Sequence, residues 1–151
     1  MKQINGDLIK LAIAGEFDLI IHGCNCFCTM GAGIAKSIKQ IFPQAYAADK
    51  KTVKGDKSKL GSYSSSAIVL DDKEFTVINA YTQYHWRGAG NKADYDAIRD
   101  VITLIKKNYT GKRIGYPLIG AGLAGGDWNV ISEIIDSELS GEDHTLVLFQ
   151  G

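Results

Sequence analysis

The residues able to do chemistry gather in one stretch, Ile20-Ile21-His22-Gly23-Cys24-Asn25-Cys26-Phe27-Cys28-Thr29-Met30-Gly31-Ala32-Gly33-Ile34-Ala35. Gly31 and Gly33 lack the Cβ atoms that would hold an anion away from the main chain. A helix beginning there offers unpaired N–H groups and the positive end of its dipole. The combination suits a phosphate. A turn needing glycine only for tight packing would read the same way, but a second loop, Gly120-Ala121-Gly122-Leu123-Ala124-Gly125-Gly126, favours the cradle. Two such loops could grip a diphosphate from both sides, with N–H donors in place of a basic patch.

Two familiar phosphate motifs fit poorly. A P-loop requires Lys-Ser/Thr after its second glycine, where this chain has Ile34-Ala35, and a dinucleotide fingerprint requires glycine where Lys36 stands. Cys24, Cys26 and Cys28 alternate rather than follow Cys-x-x-Cys, and no histidine pair accompanies them. They read as small half-buried thiols, and neither a metal nor a cofactor is expected.

These loops need elements to hold them. A first strand is expected over Lys2–Ile4, then a short helix Leu8–Ala14 capped by Asp7, then a central strand Asp18–His22 apolar enough to be covered on both faces. The helix from Gly33 carries Ile34, Ile38 and Ile41 on one face, and Pro43 opens a further helical piece to Lys51 with Tyr46 inward. Lys50–Lys59 reads as an exposed polar loop. Ser62–Leu70 and Phe75–Ala80 read as paired strands. Tyr84 and Trp86 follow, in a loop that either presents aromatics to a flat ligand or sugar or tucks them onto the body. A helix from Asn91 or Lys92 buries Ile98, Val101, Ile102 and Ile105, and a strand Arg113–Ile119 feeds the second glycine loop. Asp127 caps a helix with Val130, Ile131, Ile134 and Ile135 inward, and His144–Gln150 closes the chain as a strand. Alternation of this kind predicts a three-layer α/β/α domain with a mixed sheet, one domain over residues 1–151.

With 151 residues, 45% hydrophobic content and formal net charge +0, the chain can bury a sizeable core but offers no basic face for a nucleic acid or an acidic membrane. No apolar run reaches bilayer length and the first residues lack a signal-peptide core, so a cytoplasmic monomer is expected.

Three segments resemble the signature segments of macro domains: Gly6-Asp7-Leu8; His22-Gly23-Cys24-Asn25-Cys26 with Met30-Gly31-Ala32-Gly33-Ile34-Ala35; and Pro117-Leu118-Ile119-Gly120-Ala121-Gly122-Leu123. The resemblance implies ADP-ribose as ligand. On that template Asp7 bonds the adenine amino group and Asn25 the distal ribose. Gly31, Ala32, Gly33 and Ile34 wrap the diphosphate and distal sugar together with Gly120, Ala121, Gly122 and Leu123. Leu8, Met30 and Tyr81 join the ligand-binding set. The Ile-His-x-Cys-Asn-Cys wording is similar to the branch that hydrolyses ADP-ribose 1″-phosphate to ADP-ribose and phosphate. There His22, with Asn25, would be catalytic: an imidazole can activate water or protonate a sugar oxygen while loop amides hold the phosphoryl charge. His22 in a central strand reads equally well as a satisfied core histidine. The glycohydrolase branch uses an aspartate where this chain has Ala124 and a lysine near Tyr81, where there is none; Asp127 lies close by. ADP-ribosyl hydrolysis, O-acetyl-ADP-ribose deacetylation and a non-catalytic ADP-ribose reader stand as alternatives.

Overall fold

A computed structural model describes residues 1–88 and 90–149. Its elements are β1 (Lys2–Gly6), α1 (Leu8–Ile13), β2 (Leu19–Cys24), α2 (Gly33–Ile41), α3 (Pro43–Lys50), a 3₁₀ turn (Lys57–Lys59), β3 (Tyr63–Leu70), β4 (Lys73–Tyr81), α4 (Tyr95–Asn108), β5 (Arg113–Tyr116), α5 (Trp128–Glu138) and β6 (Asp143–Phe149). The last expected strand residue, Gln150, lies outside the described residues.

The six strands form one sheet in the order β1-β6-β5-β2-β4-β3, antiparallel only between β3 and β4. Because the other pairs are parallel, β1, β2, β4, β5 and β6 all end at the same edge. Side chains alternate across β2, so Ile20 packs with Ile38, Phe42, Val77 and Tyr81 on one face while Leu19 and Ile21 pack with Ile98, Ile102, Ile131 and Ile135 on the other. Helices α1, α2 and α3 cover the first face and α4 and α5 the second, which makes the three-layer mixed-sheet architecture that alternation predicts. Among the described residues no helix is long and apolar enough to cross a membrane.

Local chemistry sets the boundaries. Asp7 caps α1 by accepting from the Lys10 N–H at 3.1 Å, Asp94 caps α4 through Ala97 N, and Asp127 caps α5 through Asn129 N. Helix α4 begins at Tyr95, later than Asn91 or Lys92: Asp94 is its cap, while the Asn91 side chain is used one turn earlier, accepting from Ala93 N at 2.7 Å. Strand β5 stops at Tyr116, not Ile119, since Pro117 has no N–H to give a ladder. Two expected inward residues face out: Val130 is 37% exposed and Ile41 51%. The stripe on α5 starts one residue later, at Ile131, and Ile41 sits at the last turn of α2 where the helix overhangs the cavity described below.

The Lys50–Lys59 segment also departs from the exposed loop expected of it. Lys59 is buried, its ammonium donating to the Cys26 carbonyl at 3.0 Å and lying over the Tyr81 ring. Its long stem fills the space under the cysteine turn, a placement that charge patterning cannot reveal.

Candidate functional site

At the shared edge, the segments that follow β1, β2, β4 and β5 converge with the end of β6 on one cavity of about 790 Å³. Asp7, Leu8, Val147 and Phe149 line one end; Gly31 to Ile34 and Gly120, Gly122 and Leu123 line the middle; Asn25, Thr29, Asp49, Trp86 and Lys92 line the other. The strand order fixes this arrangement. Gly6 pairs with Phe149 at the β1/β6 side, and Cys24 pairs with Tyr81 at the β2/β4 side, so the two glycine loops of β2 and β5 stand between the ends. Ligand clefts of open α/β sheets lie at such carboxyl edges.

The first loop carries backbone strain, and hydrogen bonds hold it in place. Gly33 opens α2 at φ +58°, and Cys28 and Met30 sit at φ 57° and 41°, a region side chains rarely adopt. Asn25 keeps the turn in place: its Oδ1 accepts from Phe27 N at 2.8 Å and its Nδ2 donates to Thr29 Oγ1 at 2.7 Å. Each end of the amide retains capacity for one further bond, so Asn25 can face a ligand while closing the turn. The second loop is closed by Gly126 N donating to Gly120 O at 2.7 Å. A Cβ on Gly126 would stand 2.5 Å from that oxygen, whereas one on Gly122 would meet no atom within 4 Å.

Of the residues singled out by sequence, Asp7, Leu8, Asn25, Met30, Gly31, Ala32, Gly33, Ile34, Gly120, Gly122 and Leu123 line the cavity together. Ala121 does not, turning onto the α4/α5 core. Nor does Tyr81, which is buried with its hydroxyl donating to Asp49 Oδ1 at 2.7 Å. His22 also lies off the cavity, fully buried beneath it. Its Nε2 is 2.7 Å from Asn79 Oδ1, an acceptor, so Nε2 carries the proton. Burial pushes the imidazole down to about 4, against the raising effect of Asn79, and keeps the ring neutral. The satisfied core histidine is the reading that this placement supports.

Several cavity residues escaped sequence reasoning, Asp49, Lys92, Gln83, Thr29, Val147 and Phe149 among them. Asp49, 1% exposed, lines the cavity with Thr29, and burial raises its carboxyl above the usual range. Lys92 lies at the mouth, its ammonium donating to the Gly88 and Gly90 carbonyls of its own loop. Gln83 bridges to the His85 carbonyl. In the same loop Tyr84 tucks in, bonding the Gly55 carbonyl and packing on Phe27, whereas Trp86 stacks on His85 at 4.3 Å and remains 40% exposed beside the cavity. Only the loop's aromatic content signalled this.

Comparison with known proteins agrees with this architecture. The macro domain family model matches residues 21–135. An uncharacterized 17.5 kDa protein of Enterobacteria phage T4 is 36% identical over 142 residues, covering 91% of this chain and 88% of the relative. An ADP-ribose 1″-phosphate phosphatase of Aspergillus oryzae is 46% identical over 46 residues, 30% of this chain and 21% of that protein. Among solved structures, the macrodomain of Mycobacterium tuberculosis DarG superposes with TM-score 0.75 at 23% identity, covering 97% of this chain and 95% of that one. Thermosipho africanus DarTG in complex with ADP-ribose gives TM-score 0.72 at 18% identity, over 98% of this chain and 42% of that one. With the family model spanning most of the sequence and the phage relative nearly all of it, the chain belongs to the macro domain family.

Proposed function

We propose that this macro domain binds ADP-ribose in the cavity at the strand ends. The carrying observation is the order of surfaces along it. The Asp7, Leu8, Val147 and Phe149 end is apolar with one carboxylate, matching a flat base with an amino donor. The two glycine loops at the centre offer main-chain N–H groups to a diphosphate. The Asn25, Thr29 and Asp49 end offers polar partners to a sugar. The solved DarTG complex with ADP-ribose supports the ligand class. Titration calorimetry with ADP-ribose, ADP and adenosine tests it: ADP-ribose should bind best, and absence of heat with all three rejects the reading.

We further propose that the domain hydrolyses ADP-ribose 1″-phosphate to ADP-ribose and phosphate, acting as a monomer in the cytoplasm. Support comes from the short stretch shared with the Aspergillus oryzae phosphatase. A substrate panel read by mass spectrometry tests it against ADP-ribosyl hydrolysis, deacetylation of O-acetyl-ADP-ribose and simple reading. Phosphate loss from the 1″-phosphate alone is the expected result.

A further inference from the structure

The polar end of the cavity rests on a buried chain of hydrogen bonds, and every donor in it points the same way. His22 Nε2 donates to Asn79 Oδ1 at 2.7 Å, Asn79 Nδ2 to Ser64 Oγ at 3.0 Å, and Tyr81 OH to Asp49 Oδ1 at 2.7 Å. Ser64 Oγ and Tyr81 OH are 2.8 Å apart, and since the phenol proton is spent on Asp49, the serine donates to the phenol. Each bond polarises the next toward the carboxylate at the terminus. The chain spans β2, β4, β3 and α3, and it ends where only 1% of Asp49 is accessible, through the cavity recess. Among the described residues no donor is bonded to the second carboxylate oxygen. Lys59, the cation whose charge acts on Asp49, spends its ammonium on the Cys26 carbonyl and lies 3.6 Å from Cys28 Sγ. A carboxylate this buried, with one oxygen anchored and the other free, is costly as mere structure.

We infer that Asp49 is the catalytic acid–base residue of the cavity and that the His22–Asn79–Ser64–Tyr81 chain positions it. The inference rests on the hydrolytic reading above. Asp49 takes a proton from a water whose oxygen bonds to phosphorus. The bond from phosphorus to the 1″ oxygen breaks, its electron pair staying on that oxygen, which receives the proton from Asp49. Phosphate and a free sugar hydroxyl leave, and the carboxylate is restored. Burial raises the Asp49 carboxyl while Tyr81 and Lys59 oppose that rise; Cys24, Cys26 and Cys28 are the other titratable groups around it. Catalysis therefore fades as pH falls through the raised value.

Calorimetry with ADP-ribose and phosphate release from ADP-ribose 1″-phosphate, followed from about pH 4 to about pH 9, test this on the parent, Asp49→Asn and Tyr81→Phe. Asparagine keeps the acceptor that Tyr81 needs, so Asp49→Asn should still give binding heat with ADP-ribose and release phosphate at least about 100-fold more slowly. Tyr81→Phe removes a bond that favours the carboxylate, so its acid limb should move to higher pH. Phosphate release by Asp49→Asn at the parent rate, an unmoved acid limb in Tyr81→Phe, or ADP-ribose binding by a parent that releases no phosphate each overturns the role of Asp49 while leaving ADP-ribose as ligand. Absence of binding heat in the parent overturns the ligand reading and this inference together.

Discussion

His22 is one residue with two jobs on offer, and its surroundings decide between them. A ring with no exposure and a proton committed to Asn79 cannot exchange protons with a ligand in the cavity. It can act on stability. Its folded value lies near 4 against 6.5 in the free side chain, so the unfolded chain binds the proton more readily. The stability this represents is fully present above pH 6.5 and is lost as pH falls toward 4, at most about 3 kcal/mol. Glutamine at position 22 keeps a donor but does not titrate in this range. Urea denaturation of the parent and His22→Gln at a series of pH values should show the parent losing stability over that window relative to the variant. Parallel curves would mean that the imidazole takes up its proton equally well in the folded and the unfolded chain. At neutral pH His22→Ala should cost about 1–3 kcal/mol by leaving Asn79 Oδ1 without its donor.

Among the elements, the two glycine loops separate what folding requires from what binding requires. A methyl on Gly126 would collide with the Gly120 carbonyl and with Ile131, so Gly126→Ala should lower stability by about 3 kcal/mol or more. Gly122 faces the cavity with open space around it, so Gly122→Ala should leave stability within about 0.5 kcal/mol of the parent. If the main chain there must approach a diphosphate, the same methyl should weaken ADP-ribose binding by about tenfold or more, near 1.4 kcal/mol. Equal affinity in Gly122→Ala would show that the second loop does not cradle the ligand. Both loops were legible in the sequence because a strand, a glycine run and an amphipathic helix leave separate periodic marks. Asp49 and Lys59 were not. They lie among lysines and polar residues that read as a solvated face, and only the packing of α3 and the 3₁₀ turn over Tyr81 buries them. The cavity assignment of Tyr81 failed for the same reason in reverse: a residue at a strand end can point along either face, and pleat alone places Tyr81 on the face of His22 and Asn79.

For the whole molecule, charge and ligand pose a puzzle that the cavity answers. A chain of formal net charge +0 is proposed to hold a dianion, and Lys92, the cavity's lysine, has its ammonium committed to the Gly88 and Gly90 carbonyls. If main-chain N–H groups do the holding, the attraction is short-ranged and sits inside a recess that mobile ions do not screen. ADP-ribose affinity should then fall by less than about threefold between about 0.05 M and about 0.5 M salt, where a site built on several exposed cations would lose tenfold or more. The same binding should register in the fold as a unit, because the cavity joins the ends of β1, β2, β4, β5 and β6 and no element can leave without opening it. At a hundredfold excess over Kd the ligand should add about 2.7 kcal/mol. For a domain of this size that raises Tm by roughly 5–10 °C in a single transition. A steep salt dependence of that shift would transfer the diphosphate from the main chain to Lys92, and the neutral cradle would have to be given up.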